Sequence, residues 1–202
     1  NEITSTKFKR IVQTVSYLPH FISTMVICGL IIDFTAADGL VNQIIEFFGG
    51  EKSNLLLKPE LFRPIYISTN IWQNIGWGSI IYLSALTGID PQLYEAAIID
   101  GSNRWKQTIH ITLPGIMPTI IIMLILRIGQ LMNIGFEKII LLYNPSTYET
   151  ADVISSFVYR KGLLEMDYSY STAVGLFNSV INFMLLVTFN RISRKVSEIS
   201  LW

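Results

Sequence analysis

The chain has 202 residues, of which 50% are hydrophobic and 15% charged, with a net charge of zero and a mean hydropathy of +0.45. That length allows one domain, and the apolar weight favours a membrane class. The neutral balance offers nothing to a nucleic acid. The single cysteine, Cys28, excludes an intrachain disulfide and gives no metal cluster, so it reads as packing, and no metal is expected.

The chain opens on Asn1-Glu2-Ile3 without an initiator Met or a signal peptide, so it reads as the interior of a longer protein with further spans ahead. Lys7, Lys9 and Arg10 precede a first span at residues 11–34. Pro19 is expected to kink it, which is tolerated where neighbouring helices re-satisfy the backbone. His20, beside the kink, serves either packing or substrate contact. Residues 33–64 are too polar to span, with five acidic and three basic side chains. Within them residues 40–48, LVNQIIEFF, predict a short interfacial helix.

Residues 66–86 form the second expected span, enriched in Trp72, Trp77 and Tyr82, with Gly76 and Gly78 allowing close backbone approach. Asn70, Gln73 and Asn74 should face protein or water rather than lipid. Two readings fit them equally: interhelical hydrogen bonding, or a sugar path in which aromatic faces and amides meet CH faces and hydroxyls.

Residues 90–114 hold the densest local signals. Asp90 then Pro91 is a helix start, since Asp accepts from free N–H groups and Pro loses nothing at the first position. Residues 92–99 continue for about two turns. Gly101 ends the helix in the left-handed conformation. Ser102 and Asn103 cap a second helix, which Pro114 is expected to end.

The third expected span, residues 117–131, carries Arg127 about 20 Å beyond Pro114. A buried arginine costs at least about 2.5–3.5 kcal/mol, so it needs an acidic partner or a wet cavity. Residues 134–167 form a second polar connection, with a turn at Tyr143-Asn144-Pro145 and a short amphipathic helix over residues 149–160. The last span is residues 170–189, with Asn178 and Asn182 on one face. Eight basic residues flank the start, the 90–114 stretch and the tail, while the two long connections hold six with ten acids. That places both chain ends and residues 90–114 in the cytosol.

Glu95-Ala96-Ala97, three residues, Gly101, nine residues, Ile111, one residue and Leu113-Pro114 match, at every fixed position, the signature of permeases of bacterial ATP-binding-cassette (ABC) importers. Further runs resemble the LplB-like oligosaccharide permeases among them: Ser16-Tyr17-Leu18-Pro19-His20-Phe21, Gly135-Phe136-Glu137, Leu142-Tyr143-Asn144-Pro145, Val158-Tyr159-Arg160-Lys161-Gly162-Leu163 and the terminal Leu201-Trp202. The resemblance covers essentially the whole chain. It implies an all-α, multi-pass membrane fold of the MetI-like kind with about four transmembrane helices, as a single transmembrane domain over residues 1–202 and a cytosolic coupling loop at residues 88–114.

It also implies a machine in the bacterial cytoplasmic membrane: a second homologous permease, two cytosolic ATP-binding subunits, an extracytoplasmic solute-binding protein and a sugar substrate. Tyr94, Glu95, Ala96, Ala97, Asp100, Gly101 and Arg104 would meet the ATPase, with Glu95 in the first turns near the positive helix end. Trp72, Asn74, Trp77, Asn133, Asn178 and Asn182 are the candidates for lining the sugar route. The chain itself has no Gly-rich loop ending in Gly-Lys-Ser/Thr to cradle ATP phosphates, so it is expected to be a transport subunit with no cofactor and no enzymatic role.

A secondary transporter would need mid-membrane carboxylates, and the four expected spans hold none at mid-membrane depth; Asp33 and Glu137 stand only at edges. A membrane enzyme lacks a nucleophile elbow or metal motif. A passive scaffold would not need the spaced signature.

Overall fold

The computed structural model describes residues 5–197; the expected features at Asn1-Glu2-Ile3 and Leu201-Trp202 lie outside them. Among the described residues the secondary structure is helical throughout, with no strand. The contacts gather into two units, one of residues 1–77 with 133–176, the other of residues 78–132 with 177–202.

The first unit begins with α1, Thr6–Tyr17, capped by Ser5. The expected first span does not merely kink at Pro19. The helix ends, a 3₁₀ turn runs over Leu18–Phe21, and the chain is extended at Ile22 and Ser23. Ser23 then caps α2, Thr24–Thr35, by accepting from the Val26 N–H at 3.4 Å. A serine cap four residues after a proline at the helix end turns a kink into a break. Helix α3, Leu40–Phe47, follows as expected. Asn42 fixes the bend between α2 and α3, its Nδ2 donating to the Ala36 and Ser53 carbonyls at 2.7 and 2.8 Å.

Helix α4, Pro59–Thr87, has 29 residues, and the boundary between the units falls within it. In the first unit Gly76 meets the Ser16 carbonyl, where even a methyl group would collide. The core is Ile27, Cys28, Ile31, Leu56, Phe62, Leu142 and Ala151, which joins α2 and α4 to the second polar connection. That connection holds α8, Phe136–Leu142, α9, Tyr148–Ala151, and α10, Ile154–Tyr159, followed by a π turn at Arg160–Leu164. The turn at Tyr143-Asn144-Pro145 is present, with Asn144 Oδ1 accepting from the Ser146 N–H at 3.0 Å.

The single helix expected over residues 149–160 is instead two pieces. Asp152 leaves the helix and receives Arg160, Nη1 to Oδ1 at 2.9 Å, while Ser156 Oγ accepts from the Val153 N–H at 3.0 Å. A side-chain cap thus outcompetes the helical ladder.

The second unit contains the end of α4, then α5, Pro91–Ile99, α6, Arg104–Gln107, α7, Leu113–Ile128, and most of α11, Tyr168–Ser197. Pro114 does not end the second helix. A π turn over Thr108–Thr112, with the Leu113 N–H on the Thr108 carbonyl, joins α6 to α7. The widened turn delivers Pro114 to the first positions of α7, where its missing donor costs least. The result is one helical stretch, Arg104–Ile128. Arg127 therefore lies about 35 Å from Arg104, a full bilayer core away, and is exposed.

Three stretches are long and apolar enough to cross a membrane: Thr24–Phe47, interrupted by the bend at residues 36–39, Arg104–Ile128 and Tyr168–Lys195. The expected span at residues 66–86 lies inside α4, which has the length but is not among the three. Its amides lower its hydropathy. Leu124 and Leu126 of α7 and Phe177, Phe183 and Met184 of α11 are exposed, as helices dissolved in lipid require.

Candidate functional site

The signals at Asp90, Pro91, Gly101 and Asn103 are realised. Asp90 Oδ1 accepts from the Gln92 N–H at 2.9 Å and Pro91 opens α5. At the other end the Ser102 N–H bonds the Ala97 carbonyl at 2.9 Å and the Gly101 N–H bonds the Ile98 carbonyl at 3.0 Å. With Gly101 at φ +72°, this is a Schellman turn. Asn103 Oδ1 accepts from the Lys106 N–H, and Gln107 Nε2 donates to the Ser102 carbonyl at 3.0 Å. Tyr94 Oη lies 2.9 Å from Thr112 Oγ1 and ties α5 to the π turn.

Between them Leu93, Ala96 and Ala97 on one side and Lys106, Gln107 and His110 on the other line a cavity of about 530 Å³. Glu95, Ala96, Asp100, Gly101 and Arg104 are exposed, and Tyr94 and Ala97 partly so. Glu95 stands at the fifth helical position, beyond the first turn, so the helix end gives its carboxylate little. Ile99 is 85% exposed and Trp105 72%, far more apolar surface than a polar loop presents to water alone.

A second cavity, of about 510 Å³, lies in the first unit. Its walls are residues 20–24, Tyr66, Asn70, Gln73 and Asn74 of α4, and residues 135–138. His20 stacks on Trp77 with ring centroids 4.7 Å apart and planes within 4°, and its Nδ1 is 3.3 Å from Asn74 Oδ1. Asn74 Nδ2 in turn donates to Asn70 Oδ1 at 2.9 Å. Lys138 is 5% exposed and donates from Nζ to Gln73 Oε1 at 3.4 Å. Burial pushes its ammonium below the usual lysine value, against a small opposing contribution from Cys28. Gly135 passes so close to the Tyr66 hydroxyl that a Cβ would collide with it.

Of the expected route residues, Asn74 and Trp77 meet His20 at this cavity. Trp72, half exposed, lies about 200° around α4 from Asn74. Asn133 is exposed beyond α7. Asn178 and Asn182 belong to the second unit, where Asn182 Nδ2 donates to the Gly129 carbonyl at 2.7 Å. Lys138 was missed by sequence reasoning. The available signal was a lone lysine heading the apolar run Ile139-Ile140-Leu141-Leu142.

Residues 1–198 match the family described as the binding-protein-dependent transport system inner membrane component. The chain belongs to this family. It is 46% identical to the polygalacturonan/rhamnogalacturonan transport system permease protein YteP of Bacillus subtilis (strain 168), covering 98% of this chain and 62% of that one. Protein LplB of the same organism is 42% identical, with 98% and 63% covered. The chain thus spans less than two thirds of the length of these curated relatives.

Among solved structures, a bacterial ABC transporter involved in the import of the acidic polysaccharide alginate superposes with a TM-score of 0.95 at 46% identity, covering 98% of this chain and 69% of that one. The alginate transporter in complex with an alginate pentasaccharide-bound periplasmic protein gives 0.96 at 45% identity, covering 99% and 70%. The all-α, multi-pass expectation and the likeness to ABC-importer permeases hold. As an inner-membrane component the chain sits in the membrane, in keeping with its outward-facing apolar helices.

Proposed function

We propose that the chain is a permease subunit of an ABC importer, forming part of the path for an oligosaccharide and coupling it to ATP hydrolysis by a partner. The observation that carries this is the exposed helix α5, closed by the Gly101 turn and bearing Glu95-Ala96-Ala97 beside the bare Ile99 and Trp105. Ala96 and Ala97 leave room for another protein's surface, and Tyr94, Asp100 and Arg104 stand around them as its polar rim. The relatives' names support a sugar as cargo.

In this reading residues 1–202 act as one transmembrane domain with a coupling loop at residues 88–114. The partners are a second permease, two ATP-binding subunits and an external binding protein. The route passes Trp72, Asn74, Trp77, Asn133, Asn178 and Asn182. The chain works without a cofactor and hydrolyses nothing itself. The test is affinity purification of the membrane-inserted protein with and without Ala96→Trp. An ATP-hydrolysing subunit should accompany the wild type and be lost from the variant at equal insertion. If no ATPase accompanies the wild type, the reading fails.

A further inference from the structure

Among the described residues Lys138 is a buried cation with no ion pair. Its ammonium carries three donors. One reaches Gln73 Oε1 at 3.4 Å, and the Tyr66 ring centroid lies 5.9 Å away. Among the described residues no carboxylate stands within ion-pair distance of it. A cation that is 5% exposed and lacks a counter-ion is costly unless something else supplies the negative charge. Lys138 lines the 510 Å³ cavity, a volume within the range of small-molecule sites.

The rest of that cavity suits a sugar ring. Asn70, Gln73 and Asn74 present amides for hydroxyl groups, and His20 is held flat by its stack on Trp77. Thr24, at the start of the 12-residue helix α2, brings that helix's positive end to the wall. Glu137, exposed on the same lining, can accept from hydroxyls but would repel a second anionic group. The one buried cation can pair with a single carboxylate, and the Glu137 carboxylate on the same lining disfavours a ligand that carries further negative charge.

We infer that this cavity takes an acidic sugar residue of the transported oligosaccharide, whose carboxylate pairs with the Lys138 ammonium while its hydroxyls meet Asn70, Gln73 and Asn74. The inference rests on the permease reading above and adds to it the charge of the cargo and the residue that reads it. The lowered proton affinity of Lys138 agrees, since an incoming carboxylate restores the charged form.

The test uses the assembled importer containing this protein, reconstituted in nanodiscs, with trigalacturonate and its fully methyl-esterified form as probes. Binding is measured by calorimetry and ATP hydrolysis alongside it. Wild type should bind the acid more tightly than the ester. Lys138→Met should weaken acid binding by about tenfold or more, as loss of a charge-assisted hydrogen bond implies. The ester should be bound equally by both, which also shows the variant is folded, and Lys138→Arg should keep the preference for the acid.

Equal binding of acid and ester by wild type overturns the inference. So does an unchanged acid affinity in Lys138→Met, or equal loss of both probes. If maltotriose but not the acid stimulates ATP hydrolysis, the permease reading stands and the inference fails. If the acid binds through Lys138 but no sugar ever stimulates hydrolysis, the site stands and the transport reading fails.

Discussion

Gly101 allows the sharpest test of the coupling stretch, because its two costs separate. A Cβ built there meets nothing within 4 Å, so a larger side chain does not clash with its surroundings. The penalty is conformational: φ is +72°, where an L-residue is disfavoured by about 1–2 kcal/mol. That shifts the population of the correct turn by roughly 5–30-fold. Asparagine tolerates this region better than other non-glycine residues, while a β-branched residue fares worst.

The series Gly101→Asn, Gly101→Ala, Gly101→Val should therefore lower transport-linked ATP hydrolysis progressively, with Asn near wild type. The Ser102–Ala97 and Gly101–Ile98 bonds are what the strain would loosen, swinging α5 off the proposed partner. Membrane-inserted protein and copurifying ATPase are quantified beside activity. Normal hydrolysis in Gly101→Val at normal insertion would refute the role of the turn. An activity loss that merely tracks protein amount across the series would refute it equally.

Three other outcomes are expected. Gly135→Ala should destabilise the first unit by about 1–3 kcal/mol through overpacking against the Tyr66 hydroxyl, and Tyr66→Phe should recover much of it; additive losses in a thermal-unfolding double-mutant cycle would contradict the contact. Asp152 is half-buried; burial alone would raise its carboxyl, but hydrogen bonds from Arg160 and Ser156 outweigh this and hold it below the usual carboxylate range. A depressed folded pKa gives stability that is present above about pH 4 and lost as pH falls through the folded value. Asp152→Asn should remove that acid-side fall in melting temperature, and an unchanged profile would argue against it. In a Cys28→Ala background, cysteines placed at Gly50 and Glu149 should label from outside and one at Gly101 from inside; the reverse pattern would invert the orientation.

The coupling stretch was legible because its instructions are local. Asp90, Gly101 and Asn103 each act on a backbone group two or three residues away, and the sequence displays both ends of such bonds. The second cavity was not legible for the opposite reason. Lys138 finds Gln73 across 65 residues, and His20 finds Asn74 across 54. The proline at 114 was misread because its local signal says stop, while a π turn formed by the preceding residues lets the helix continue. At Pro19 the signal was read as too weak, since Ser23 reinforces it with a cap. The break at residues 152–153 depended on Arg160 returning to Asp152, which no periodicity announces.

The π turn at Thr108–Thr112 amounts to one residue more than an unbroken α-helix would need between Arg104 and Ile128. It has the effect that inserting one residue into a regular α-helix would have. Deleting a single codon inside it would leave a continuous helix but turn everything ahead of it by about 100°. Trp105 and the α5 helix tied to this turn through Tyr94 would then leave the span from a different side. Chain length at this point therefore works as a dial for the direction in which residues 90–107 face, separate from the side chains proposed to dock.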